Sequence, residues 1–341
     1  MLVLTEEQAM LRDGARELVE RAFPLTRHRA WRDAGGGFDP VAWSELVEQG
    51  WPALTVPESR GGMGFGLAEL AVVMEALGRH LVPTPMLSAF LTGRLAPTLA
   101  AAEGELCALA WREHPRQADP EHCLTRHHQG RLTGSKPAVL DAAAATSLLV
   151  TARDAHDQLG VYVVQRDDVQ LEPLTRLDHR DCARLTLRDT PAERLPITPA
   201  ALHTAIDEAT VALASEMLGS ATRAFELTLA YLGERRQFGV PIGSFQALQH
   251  RAVDVFVQLE LARSAVLAAA RDPNPELVSL CKAQISDAFL HTTREAVQLF
   301  GGIGMTDEHD IGFFLKRAHV AGQTFGDAAW HRDRWARVRG Y

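Results

Sequence analysis

Glu234-Arg235-Arg236-Gln237-Phe238-Gly239-Val240-Pro241-Ile242-Gly243-Ser244-Phe245-Gln246 is the stretch that decides the fold. Before it, residues 202–236 run as a helical pattern without proline, about 50 Å long at 1.5 Å per residue, a length that suits only a helix bundle. After it, residues 245–270 carry Leu248, Val253, Phe256, Leu259 and Val266 on a broad apolar face. Asn274-Pro275 supplies an N-cap and a first-turn proline for a third helix ending near Phe300, where Gly301-Gly302 stops it. The quoted turn therefore joins two bundle helices. The close of the third, Gln298-Leu299-Phe300-Gly301-Gly302-Ile303-Gly304, follows about sixty residues later.

Upstream, the pattern changes twice. Thr5 followed three residues on by Gln8 is a capping-box signature, and Ala9, Leu11, Ala15, Leu18 and Val19 recur at helical spacing. Further helices are predicted at 40–49, from Leu67 to a stop at Gly78, and at 86–100, with a turn-rich connection at 51–64. From about Cys107 to Leu195 the period shortens to two. Residues 132–139, 147–151, 160–164 and 185–187 read as strands, and Pro196 and Pro199 mark a linker. The fold class is α+β: an N-terminal all-α domain (1–104), a small middle β domain (105–198) and a C-terminal four-helix bundle (199–341).

Composition narrows the function. With 43 acids against 35 bases, a net charge of −8 and no basic block, the chain is not built to bind nucleic acid. Cys107, Cys123, Cys182 and Cys281 form no CxxC pair, and the 14 histidines show no HExxH or other close ligand spacing, so no metal site is predicted. The start, Met1-Leu2-Val3-Leu4-Thr5-Glu6-Glu7-Gln8, lacks the features of a signal peptide, and no apolar run is long enough for a membrane span. A cytoplasmic location is expected.

The two segments quoted first resemble, in this order and spacing, the paired signatures of the acyl-CoA dehydrogenase family, flavoproteins that oxidise the α,β carbon bond of acyl thioesters. Val56-Pro57-Glu58 with Gly61-Gly62-Met63-Gly64, and Met74-Glu75-Ala76-Leu77-Gly78-Arg79, are similar to the family's PExxGGxG and ExLGR segments. The glycines of the first lack the preceding buried strand and the acid some twenty residues on that a Rossmann site needs, so they are read as a tight turn.

The resemblance implies FAD as cofactor and an acyl-CoA as substrate. It assigns Arg235 to the flavin pyrophosphate of a neighbouring subunit, with Gln237 and Phe238 beside it. Gln298, with Gly301, Gly302 and Gly304, would meet the ADP end. A guanidinium offers fixed donors to phosphate oxygens, and glycine permits close backbone approach. Without the resemblance, Arg235 is a helix-end surface charge and the glycines a helix stop. His250 and Asp254 fit the FQxxxHxxxD continuation and are read as interior or interface polar groups.

Where the family places its catalytic glutamate the sequence reads Gln323-Thr324-Phe325-Gly326-Asp327-Ala328, so that position falls on Phe325 or Gly326. The alternative position used by a minority of members falls on Ala209. None of these can take a proton, and the catalytic residue is left unassigned. Glu208 and Asp327 are the nearest acids in sequence. The β domain also departs: Cys107 to Glu113 and Lys136 to Asp141 hold neither the GSD turn nor the WxT strand that covers the isoalloxazine.

A chain that keeps the groups reaching into a neighbour's flavin site, and lacks many that build its own, resembles one subunit of the α2β2 acyl-CoA dehydrogenases that actinobacteria use on steroid side chains. This implies a second acyl-CoA dehydrogenase-like subunit carrying the glutamate, together with an electron-transfer acceptor. Two alternatives stand beside it: a self-sufficient homo-oligomeric enzyme using Glu208 or Asp327 as base, and a flavin-free binding or scaffold protein.

Overall fold

The computed structural model describes residues 4–100, 106–114 and 117–341. Helices α1 (Glu6–Ala22), α2 (Leu25–Asp33), α3 (Pro40–Glu48), α4 (Leu67–Arg79), α5 (Met86–Leu95) and α6 (Pro97–Ala100) come first. Strands β1 (Cys107–Ala110), β2 (Arg126–His128), β3 (Arg131–Leu140), β4 (Ser147–Arg153), β5 (Leu159–Gln165), β6 (Gln170–Pro173), β7 (Cys182–Pro191) and β8 (Glu193–Arg194) follow. Then come α7 (Pro199–Glu234), the short strands β9 (Arg236–Gln237) and β10 (Val240–Pro241), α8 (Gln246–Arg271), α9 (Pro275–Phe300), α10 (Ile311–Gln323) and α11 (Ala328–Val338). This order of helices, sheet and helices is the predicted α+β architecture.

The chain divides into two compact units, one of Trp31–Gly66 and Pro83–Ala209, the other of Met1–Ala30, Leu67–Val82 and Thr210–Tyr341. The first is built on a sheet ordered β6-β7-β3-β2-β4-β5-β8, with β1 parallel to β4. Strand β4 is buried on both faces, and Leu148, Val150 and Ala152 on one of them join Leu132, Val139, Tyr162 and Leu185 in one core. The expected strands lie inside β3, β4, β5 and β7; β1, β2, β6 and β8 are short or polar and carry too little alternation to be read in advance. Gly61 and Gly64 take positive φ (81° and 67°) in the turn after Pro57, the conformation that needs glycine, which bears out the tight-turn reading.

One buried ion pair fixes the first unit internally. Lys136 Nζ donates to Glu113 Oε1 (2.5 Å) and Thr151 Oγ1 (3.0 Å), and Glu113 Oε1 also accepts from the amide and hydroxyl of Thr125 (2.9 and 2.6 Å). Burial opposes ionisation of Glu113, but the charge and hydrogen bonds of Lys136 and Thr125 outweigh it and hold the carboxyl below its usual range.

In the second unit, α1 opens with the predicted capping box: Thr5 Oγ1 accepts from the Gln8 amide (3.2 Å), and Gln8 Oε1 from the Thr5 amide (3.1 Å). Helices α4 and α7 touch backbone to backbone. A side chain at Gly78 would collide with the Glu216 carbonyl, and one at Gly219 with that of Glu75. The ExLGR-like segment is thus a structural lock, in which Arg79 also grips Glu226 through two bonds (3.0 and 2.6 Å). The helix expected at 86–100 is broken at Ala96, ahead of Pro97, as proline requires.

Candidate functional site

Helices α7, α8 and α9 run up, down and up, so the end of α7, the start of α8 and the end of α9 share one pole of the bundle. Leu232, Ala252 and Leu299 pack there with Phe225, Ile242 and Leu248. The rings of Tyr231 and Phe300 lie 4.5 Å apart, and Arg251 Nε donates to Glu295 (2.6 Å). Two motifs far apart in sequence, Arg235 to Phe238 and Gln298 to Gly304, are therefore neighbours in space.

Between β9 and β10 the loop is Phe238-Gly239, with φ of 52° and 82°. Two successive positive φ values make the tight turn that matches the twist of a hairpin. Glycine accepts this at no cost, whereas a phenylalanine there is strained. The ring is little covered in return: Phe238 is 91% exposed, and the one aromatic ring it meets among the described residues is that of Phe245, edge-on at 6.0 Å. Arg235 and Gln237 are exposed beside it. Among the described residues no carboxylate pairs with Arg235, so its guanidinium is available to an external anion.

At the end of α9, Gly301 (φ 66°, ψ −140°) occupies backbone space open only to glycine, and its amide donates to the Gln298 carbonyl. The Gln298 side chain, Gly301 and Gly302 are exposed, and no atom crowds the Cα of Gly302. Gly304 differs: it is buried, and a Cβ there would stand 2.6 Å from the Val297 carbonyl oxygen, so packing requires it. An unpaired guanidinium, an exposed amide and an uncovered glycine turn together fit the phosphate and adenosine end of FAD.

The place of the missing glutamate lies elsewhere in the bundle. Phe325 is buried with φ 59°, and Gly326 has φ 102°. Their loop is held by Lys282 of α9, whose Nζ donates to the carbonyls of Gly322 (3.1 Å) and Gly326 (2.9 Å) and to Ser286 Oγ (3.2 Å). Lys282 is fully buried, and that burial pushes its pKa down to about 7. His331 Nε2 bonds the Phe325 carbonyl (3.0 Å), and burial, with the nearby Lys282 charge, lowers its pKa to about 3. Ser286 stands about 18 Å along α9 from Gln298, so the anion-facing pole and this loop are separate places.

Both acids nearest in sequence have structural employment. Asp327 is the N-cap of α11, accepting from the Trp330 amide (2.8 Å). Glu208, in the other unit, receives two bonds of 2.6 Å from the Arg94 guanidinium and is 8% exposed, while Ala209 beside it is fully buried. His250 and Asp254 lie exposed on α8. Lys282 and Arg94 escaped the sequence reading, because a lysine or arginine among helical apolar residues gives no sign of its partner.

The profile of the acyl-CoA dehydrogenase N-terminal domain matches residues 5–103, and that of the C-terminal domain matches residues 200–339. The acyl-CoA dehydrogenase IpdE2 of Mycolicibacterium smegmatis is 34% identical over 337 residues, covering 95% of this chain and 96% of its own. The chain belongs to the acyl-CoA dehydrogenase family. Its cofactor is FAD. Among solved structures, the Tcur3481–Tcur3483 steroid acyl-CoA dehydrogenase superposes with a TM-score of 0.86 at 27% identity over 98% of both chains. The ChsE4–ChsE5 complex of Mycobacterium tuberculosis superposes at 0.88 with 24% identity, over 100% of this chain and 99% of the other, which speaks to fold alone. Among the described residues, no group of acids, cysteines and histidines could hold a metal, all four cysteines are buried thiols, and no helix is long and apolar enough to cross a membrane.

Proposed function

We propose that this acyl-CoA dehydrogenase chain is the base-lacking subunit of an α2β2 heteromer, reaching across the subunit interface to hold the nucleotide end of FAD. The observation that carries the reading is the pairing of an intact nucleotide pole with a vacated base position. Arg235, Gln237, Phe238, Gln298, Gly301 and Gly302 gather at one exposed pole, while Phe325, Gly326 and Ala209 offer no proton acceptor. In this role Arg235 binds the pyrophosphate, Gln298 and the glycine backbone orient the ADP part, and Phe238 seats the hairpin against the second subunit.

An interface is supported by α8, where Val253, Phe256, Val257 and Leu261 are about half exposed at helical spacing, on the helix that begins beside the Arg235 hairpin. When bound, FAD accepts the hydride that leaves the acyl β-carbon. The second subunit supplies the carboxylate that removes the α-proton and the pocket for the flavin ring. The complex would pass its electrons on to an electron-transfer acceptor. The substrate class is an acyl-CoA of steroid side-chain type, supported by the steroid enzyme to which the chain is similar, and the location is cytoplasmic.

The self-sufficient alternative needs Glu208 or Asp327 as base, and the Arg94 pairing and the helix cap speak against both. The scaffold alternative leaves the unpaired Arg235 and the strained, exposed Phe238 without a purpose. The test is expression of the chain alone and together with its partner. The expected result is colourless, inactive protein alone and yellow, active complex together; flavin-bound, active protein from the single chain refutes the proposal.

A further inference from the structure

A cavity of about 350 Å³ opens in the second unit between α1, α4, α7 and α8, within the size range of small-molecule sites. It lies away from the nucleotide pole and takes no part in the function proposed above. Its lining is sorted by polarity. Helix α1 runs parallel to α4, since Gln8 bonds Glu69 (2.8 Å) and Arg16 bonds Glu75 (3.2 Å). Each helix therefore presents small apolar residues first and charges later: Ala9 then Arg12 and Arg16 on α1, Ala68 and Val72 then Glu75 on α4. Helix α8 adds Arg263 at the charged pole, bonded to Glu75 (3.1 Å), and Val266 and Leu267 at the apolar one.

The charged pole has donors to spare. Arg16 and Arg263 both spend a nitrogen on the same oxygen of Glu75. Arg12 engages only through Nε, with the exposed Asp13 (2.8 Å). Among the described residues, its two terminal amino groups donate to nothing. Asp13 and Glu260, which touch Arg12 and Arg263 from outside, are 67% and 49% exposed and are screened by water, so three guanidinium groups face the cavity against one carboxylate.

We infer that this cavity binds an amphiphilic carboxylate of short to medium chain length, with its head on Arg12 and Arg16 and its tail against Ala9, Ala68, Val72 and Val266. A carboxylate matches the fork of a guanidinium, and the apolar walls reward the tail in proportion to the surface they cover.

The test is calorimetric titration of the full-length chain with sodium octanoate, octanol and sodium acetate. Octanoate should saturate one site, octanol should bind at least tenfold more weakly, and acetate should give no measurable binding. Arg12→Ala removes the unclaimed donors without touching a buried contact and should weaken octanoate about tenfold. Ala68→Phe fills the apolar pole and should abolish binding, with circular dichroism reporting that the helices persist. Absence of saturable octanoate binding, equal affinity for octanol, or octanoate affinity unchanged in Arg12→Ala overturns the inference. Should Ala68→Phe fail to fold, Arg12→Ala and the octanol comparison decide it.

Discussion

Truncating Arg235 to alanine in the assembled heteromer should release flavin while sparing the chemistry. The side chain is exposed and unpaired, so its removal orphans no buried group and costs the fold only its favourable place at the end of α7, a few tenths of a kcal/mol to about 1 kcal/mol. What it removes is a charge-assisted contact to pyrophosphate, about 1.5–3 kcal/mol, or about ten- to a hundredfold in FAD affinity. In the proposed complex Arg235 meets the pyrophosphate of FAD, remote from the flavin ring and the carbons that react. The fraction of complex that still holds FAD should therefore turn over near the normal rate. The assay is flavin content per tetramer after gel filtration, with turnover per bound flavin measured beside it and circular dichroism confirming intact helices. Arg236→Ala in the same hairpin serves as the control for general loss of positive charge. Unchanged flavin content would show Arg235 to be an ordinary surface charge. Retained flavin with collapsed turnover would place the arginine in the chemistry and refute the geometry argued above.

Glu208→Gln and Asp327→Asn should alter turnover of the complex by no more than a few fold, since each acid already serves a structural partner; a loss of several orders of magnitude in either would identify it as the base. Asp327→Ala should lower stability by about 1 kcal/mol through loss of the cap, read by urea unfolding. Phe256→Asp on the exposed face of α8 should block association with the partner in sedimentation experiments while leaving the melting of the isolated chain nearly unchanged; co-sedimentation as before would move the interface elsewhere. Lys282 has a pKa of about 7 in the fold against 10.5 ordinarily, so the unfolded chain binds the extra proton between those values and stability should rise with pH from 7 upward. Between pH 7 and 9 the gain is about 2 kcal/mol; above 9 the Cys281 thiol, pushed up to about 12, works in the opposite direction. Lys282→Met should flatten the rise in urea titrations at pH 7 and 9, and an unchanged slope would mean that the amine does not titrate there.

The sequence by itself determined the order of the architecture and the family. Helical spacing, a capping box, Asn274-Pro275 and glycine stops are local features, written in neighbouring residues, and each reappears in the structure within a few positions of where it was expected. The absence of an acid at positions 209, 325 and 326 is equally local. Only the tertiary structure decided the rest. It brought Arg235 and Gln298 to one pole, because three long helices of alternating direction return the chain to the same end. It gave Glu208 to Arg94, Asp327 to a helix cap and Lys282 to the carbonyls of a loop about forty residues away, pairings that depend on which faces pack together. It also separated Gly304, demanded by packing, from Gly301 and Gly302, which stay open, a difference that identical residue letters cannot express because it lies in backbone angles and in what stands within a few ångströms of each Cα.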